Sequence, residues 1–267
     1  MACAPTQARP LGPVVQSLNM ILKGTRQSWL ATRRRIDTPH GGYGKGEWLT
    51  CGEDGEFSPT VFLVEMEPGA IAAPHFHRNN QFQIFLKGSG SIGPHPIAPY
   101  TVHYAGAYTG YGPLTAGPEG LWYFTMRPVR EVGALYIEHS RDQMVRGPKR
   151  HFSSRQIVPL NPDVLAELKQ PTVASLDGSP SAMPGVEVLC LPSNMAVSQT
   201  LPTNTAGHFF VVLAGALKID GAVLETWEHI FVSNEVPLVQ LEAGDSGLQM
   251  VRLSVPIKAS EYVGRRT

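Results

Sequence analysis

The chain has 267 residues and no formal net charge, 22 Lys and Arg balancing 22 Asp and Glu, which excludes a strong electrostatic grip on nucleic acid. A hydrophobic fraction of 42% against 16% charged excludes an intrinsically disordered chain and allows one large core or two moderate ones. Three cysteines, Cys3, Cys51 and Cys190, are too few and too far apart for a disulfide framework or a zinc finger, and no apolar run reaches the roughly 18 residues of a membrane-spanning helix. A reducing cytoplasm is the expected compartment.

Residues 1–45 are expected to form an N-terminal arm. No acid precedes Asp37, whereas Arg9, Lys23, Arg26 and the run Arg33-Arg34-Arg35 are basic. That pattern admits a transit peptide; a basic arm lying on the body of the protein or on a partner subunit is favoured. Val14, Val15, Leu18, Ile21 and Leu22 have the spacing of a short amphipathic helix. His40 falls in a Gly-rich loop and reads as a solvated histidine.

From 46 to 145 the pattern is β. Thr60–Met66, the segment from Gln81, Tyr100–Tyr104, Leu121–Met126 and Ala134–Glu138 are short β-rich runs, with a turn expected at Gly88-Ser89-Gly90. Gly and Pro total 50 residues spread along the chain, which suits many strands and turns in a sandwich or barrel. Between 146 and 184 a linker is expected. It carries a short helix opened by Asn161 as cap and Pro162 at the first helical position, followed by a Ser, Pro and Gly-rich loop over 175–183. The β pattern returns over 185–267.

The two β regions repeat at a constant offset. Gly88 and Gly215, Gln81-Phe82 and His208-Phe209, and Ala116-Gly117-x-x-Gly120-Leu121 and Ala243-Gly244-x-x-Gly247-Leu248 are all separated by the same interval. Two copies of one β unit follow.

Candidate chemistry concentrates in the first copy. His75 and His77 are two apart, so a strand would present both imidazoles on one face. Gln81 opens the next strand and can offer an oxygen to the same space. Two imidazoles and an oxygen are a minimum for a divalent metal site. In the second copy His75 maps to Pro202 and His77 to Asn204, while Gln81 maps to His208, a lone donor; the second copy is therefore expected to be structural. Phe76, Phe82, Phe85, Trp122, Tyr123 and Phe124 read as core. Arg78, Asn79 and Asn80 read as turn residues. His95, His139, His151 and His229 have no partner at ligand spacing.

The run Gly69-x5-His75-x-His77-x3-Gln81-x6-Gly88 resembles the first motif of the cupin superfamily, with Gln81 where Glu is usual. The resemblance implies an all-β bicupin: two tandem cupin domains, each an antiparallel jelly-roll β-barrel, with a few short helices. It implies metal ligands at His75, His77 and Gln81. Counting from Pro99, the place of the motif's fourth ligand falls on Tyr111, as a phenol ligand or general base; alternatively His103 supplies a third imidazole. A neutral Gln leaves the full charge of a divalent ion in place, which raises its Lewis acidity. Some small cupins, manganese-dependent hydroxynitrile lyases among them, use three His and one Gln. One divalent transition metal (Fe, Mn, Zn or Ni), a small-molecule substrate and a homodimer without nucleic-acid or membrane partners are the expectations. The activity is expected to be that of a dioxygenase, lyase or isomerase, with a non-catalytic small-molecule-binding bicupin as the alternative.

Overall fold

The computed structural model describes residues 20–51, 58–131, 133–176 and 184–263. Among them, nine strands form one antiparallel sheet and eight form another, and the repeat in the sequence becomes a repeat in space. In the first sheet the strand Gln81–Ile92 lies between Val102–Ala105 and Leu114–Arg127, which in turn pairs with Thr60–Met66. In the second, Thr205–Ile219 lies between His229–Val232 and Leu238–Pro256, which pairs with Gly185–Leu191.

The repeated glycines have a physical cause. Gly88 faces Leu121 and Gly215 faces Leu248 across their ladders. Their φ angles are 81° and 73°, and a Cβ would stand 2.1 Å from the Gly120 carbonyl oxygen or 2.0 Å from that of Gly247. Only glycine tolerates both the left-handed backbone and this approach. The expected turn at Gly88-Ser89-Gly90 is instead a bend within a strand that runs on to Ile92.

Strand alternation sorts the side chains into three compartments. Phe82, Ile84, Phe124 and Met126 point out of the first sheet and meet Phe209, Val211, Val251 and Leu253 of the second in one buried cluster between the two halves. Phe85, Tyr111, Tyr123 and Leu121 fill the inside of the first barrel. Leu189, Phe210, Val212, Ile230 and Met250 fill the inside of the second. Phe76 belongs to a separate cluster with Tyr108 and Tyr262. Fully burying one such Phe or Leu contributes about 1.5–3 kcal/mol, so these apolar faces dominate the stability.

The arm is built into both halves. Most of the helix expected over Val14–Leu22 lies outside the described residues; its end is strand, since Ile21–Gly24 pairs with His229–Val232 of the second sheet. Arg34–Ile36 pairs with Tyr43–Thr50 of the first. The basic run is matched by acids on the barrel. Arg33 makes a two-pronged contact with buried Glu65, Nε to Oε1 at 2.9 Å and Nη2 to Oε2 at 2.6 Å, and Arg35 contacts Asp37 and Glu67.

The Asn161 cap forms, its side-chain oxygen accepting from Val164 N at 2.9 Å over the helix Pro162–Ala166. After the helix, Thr172–Ser175 is a strand on Gly185–Leu191, and most of the expected loop over 175–183 lies outside the described residues. The expected strand over Ala134–Glu138 shrinks to Leu135–Tyr136, followed by the short helix Ile137–Ser140. No helix among the described residues is long and apolar enough to cross a membrane.

Candidate metal centre

His75 opens the short strand His75–Phe76, held by reciprocal backbone bonds to Tyr111, N to O at 3.1 Å and O to N at 3.0 Å. Gln81 begins the long strand behind it, and Gln83 points the same way two residues on. Thr125 and Arg127 close the wall from the end of Leu114–Arg127. All these side chains are buried or nearly so.

The hydrogen bonds between them have a fixed direction. His75 Nδ1 is 2.7 Å from the Ala73 carbonyl oxygen, so Nδ1 carries the proton and Nε2 offers a lone pair. Tyr111 donates its hydroxyl to that Nε2 at 2.9 Å. The phenol oxygen accepts from Gln81 Nε2 at 2.5 Å, and Gln81 Oε1 accepts from Arg127 Nε at 2.9 Å. A chain of donors thus runs Arg127, Gln81, Tyr111, His75, Ala73. Arg127 also fixes the amide orientation of Gln81, because a guanidinium can only donate.

His77 is oriented by a carboxylate. Its Nδ1 stands 2.5 Å from Glu131 Oε1, leaving Nε2 as acceptor. Glu131 is held by Arg78 N at 3.0 Å and Asn79 Nδ2 at 3.2 Å, while Arg127 Nη1 lies 3.6 Å from its Oε1. The expected turn residues therefore do more than turn the chain: Arg78 and Asn79 fix Glu131, and Asn80 accepts from Ala107 N at 2.9 Å. Arg127 Nη2 sits 3.1 Å from Nδ1 and 3.3 Å from Nε2 of His77.

His103 projects from Val102–Ala105, opposite Gln83. Its Nδ1 is 3.0 Å from Ser153 Oγ, and its ring centroid is 5.3 Å from that of Tyr111. His103 Nε2 and Gln83 Oε1 are buried without a hydrogen-bond partner among the described residues.

Burial sets the charge states. It pushes His75 down to about 3, helped by the His77 charge, and His103 down to about 4, helped by His151. His77 falls to about 4 through burial and the Arg127 charge, against the pull of Glu131. All three imidazoles are neutral near pH 7, the form a metal requires. Burial raises the Tyr111 phenol well above its usual value, so Tyr111 is a protonated donor rather than a phenolate in this arrangement. Burial alone would raise Glu131, but the His77 hydrogen bond and the Arg127 charge hold it below the usual carboxylate range.

The donor chemistry fits a metal in one respect: three neutral imidazoles carry Nδ1 atoms anchored by an outer partner, as in a ligating histidine, while Nε2 accepts from Tyr111 in His75, meets Arg127 in His77 and has no partner among the described residues in His103. The spacing is less complete. Among the described residues no three His, Cys, Asp or Glu side chains converge at coordination distances. The Tyr111 hydroxyl lies between His75 and Gln81, and Arg127 covers Gln81 Oε1.

Above the imidazoles opens a cavity of about 490 Å³. Tyr43, Phe62, Val64 and Tyr123 line it, with His75, His77 and Tyr111 at its floor. His40 is at its rim, exposed as expected of a loop histidine.

The second barrel lacks this interior. At the positions of Gln83 and His103 stand Phe210 and Ile230, both fully buried in its apolar filling. His208, the counterpart of Gln81, is tied to Ser254 Oγ at 2.9 Å and the Pro202 carbonyl oxygen at 2.9 Å. His229 does not face a barrel interior; it lies in the cluster between the halves, against Trp48 and Phe124.

Arg127, Glu131, Gln83 and Thr125 are the site residues that sequence reasoning missed. Gln83 was accessible from strand alternation two residues after Gln81, and Thr125 and Arg127 share a face with Tyr123 in the same way. Glu131 follows a non-regular segment and carried no such signal.

Two similar antiparallel sheets, each closed around its own interior and joined through a shared apolar face, define the class: the chain has the bicupin fold, two cupin jelly-roll barrels in succession. Pirin YhhW from Escherichia coli, solved in complex with nickel(II), matches with a TM-score of 0.53 at 12% identity, over 89% of this chain and 99% of that one. Oxalate decarboxylase OxdC from Bacillus subtilis matches with a TM-score of 0.54 at 11% identity, over 86% of this chain and 77% of that one. A candidate dioxygenase from Nostoc punctiforme matches with a TM-score of 0.53 at 12% identity, over 89% and 80%. No protein-family model and no curated relative matches the sequence.

Proposed function

We propose that the first barrel is a metal-dependent enzyme site for a small organic molecule and that the second barrel is structural. The observation that carries this is the common anchoring of three buried, neutral imidazoles, with the Nε2 atoms of His75 and His77 held as acceptors and that of His103 without a partner among the described residues. His75, His77 and His103 would hold the metal, with Gln81 as a neutral fourth donor once Arg127 releases its oxygen. Fe, Mn, Ni and Zn all suit such donors; nickel in pirin YhhW and Mn(II) in oxalate decarboxylase are consistent with this. Bound there, a divalent ion supplies Lewis acidity toward a carbonyl, enol or phenol oxygen.

The chain's own residues supply the rest. Glu131 orients His77. Tyr111 holds a proton at the floor of the cavity and is the group placed to pass it to or from a substrate oxygen. Dioxygenation, isomerisation and elimination are the reaction classes such a site serves, and a cytoplasmic homodimer is the proposed form. The position of Arg127, a cation lying on Gln81 and His77, favours a second reading: a bicupin that binds a small molecule without turnover.

Elemental analysis of tag-free protein, wild type beside His75→Ala/His77→Ala, tests the first reading. Near-stoichiometric metal in the wild type and none in the double variant is the expected result. No metal after incubation with iron, manganese, nickel and zinc would leave the second reading.

A further inference from the structure

We propose that the cavity of the first barrel takes a hydroxylated aryl carboxylate, its carboxylate on Lys45, its ring along Phe62 and its hydroxyl toward Gln83. This rests on the reading of the cavity as the active site and names its substrate class.

Lys45 Nζ lies 4.0 Å from the centroid of the Phe62 ring, and the Arg127 guanidinium lies 5.5 Å from the same centroid. Two cations thus flank one aromatic wall of the cavity. Among the described residues Lys45 has one acidic neighbour, Glu47 at 3.2 Å, and its side chain is only 23% exposed. Burial, with the nearby charges of Arg34 and Arg127, pushes Lys45 below its usual value. The ammonium is therefore held partly out of water, with two of its three N–H groups beyond the one facing Glu47.

The acids that line the cavity are at its rim. Asp37 is tied to Arg35 at 2.9 Å, and Glu138 is exposed beside His139. The depths are lined by Gln83, Thr125 and the floor residues, with no carboxylate among them. A ligand anion therefore meets cations on one wall, and the one buried carboxylate beside the floor among the described residues, Glu131, is already paired with His77 and Arg127.

Size and polarity then choose the body of the ligand. About 490 Å³ is the volume of an ordinary small-molecule site, several times that of a two-carbon dianion. A bare dicarboxylate would leave Tyr43, Phe62 and Tyr123 uncovered, whereas an aromatic ring stacks on them. Gln83 lines the cavity, and its Oε1 is a buried acceptor without a partner among the described residues. An acceptor in that state calls for a donor, and a phenol hydroxyl is one.

The test is calorimetric titration of full-length, EDTA-dialysed protein with 4-coumarate, 4-coumaramide and oxalate near neutral pH. Acid and amide differ only in the charge that Lys45 would meet. We expect 4-coumarate to bind at least about tenfold more tightly than the amide, the worth of one charge-assisted hydrogen bond, and more tightly than oxalate. Lys45→Met should erase the difference between acid and amide, and Lys45→Arg should retain it. Equal binding of acid and amide, tightest binding of oxalate, an unaffected Lys45→Met or no binding of any probe would overturn the proposal. The titration is made without metal, so its failure is separable from failure of the metal reading, which elemental analysis decides.

Discussion

His229 should make the protein acid-labile, and the size of the effect follows from its surroundings. The ring is fully buried between the two halves, 5.9 Å from Trp48 and 5.3 Å from Phe124 between centroids. Its Nδ1 donates to the Trp227 carbonyl oxygen at 3.1 Å, and its Nε2 has no partner among the described residues. Burial pushes the folded-state value down to about 4 from 6.5. In the unfolded chain the ring takes a proton as pH falls through about 6.5; in the fold it stays neutral until about 4. Over that window the unfolded state binds one more proton, so stability is complete above the window and is lost as pH falls through it. The slope is about 1.4 kcal/mol per pH unit, and the whole loss about 3 kcal/mol. Urea melts of wild type and His229→Leu, followed by tryptophan fluorescence across mildly acidic to neutral pH, read this directly. The variant should lose about one proton's worth of slope whatever its absolute stability. Parallel pH profiles would refute the reasoning.

Three further outcomes are expected. Gly88→Ala and Gly215→Ala should each cost at least about 2 kcal/mol by denaturant melts, because each combines a positive φ with a Cβ driven onto a backbone carbonyl. Arg33→Ala should cost about 1–2 kcal/mol by the same melts, since it strips the two-pronged partner from buried Glu65; the half-exposed guanidinium keeps the figure low. Arg127→Met should raise metal affinity by about tenfold or more in a competition titration, because it removes a cation standing 3.1 Å from a His77 nitrogen and frees Gln81 Oε1.

Much of the fold was legible because it rests on local rules. Gly88 and Gly215 recur because one backbone crossing recurs, and Gln81 and Gln83 against Phe82 and Ile84 separate an interior from an interface by alternation alone. The contrast between barrels was legible in part: the loss of the histidine pair was visible, but the apolar plug of Phe210 and Ile230 emerged only once their strands were placed opposite each other. Pairings between distant segments were not legible. Ile21–Gly24 joins the second sheet by hydrogen bonds to His229–Val232, and nothing near Ile21 in the sequence names that partner. In the site, His75 and His77 announced themselves by spacing. The role of Arg127 did not, because it depends on where a strand end meets Gln81, and the partner of His77 is a glutamate beyond an irregular turn.

The most direct measurement is a cobalt(II) titration followed by visible absorption, comparing wild type, His75→Ala/His77→Ala and His208→Ala. One site per chain is expected, abolished in the double variant and unchanged in His208→Ala, if the metal is held in the first barrel alone. A signal that survives the double variant, or that disappears with His208, would contradict it.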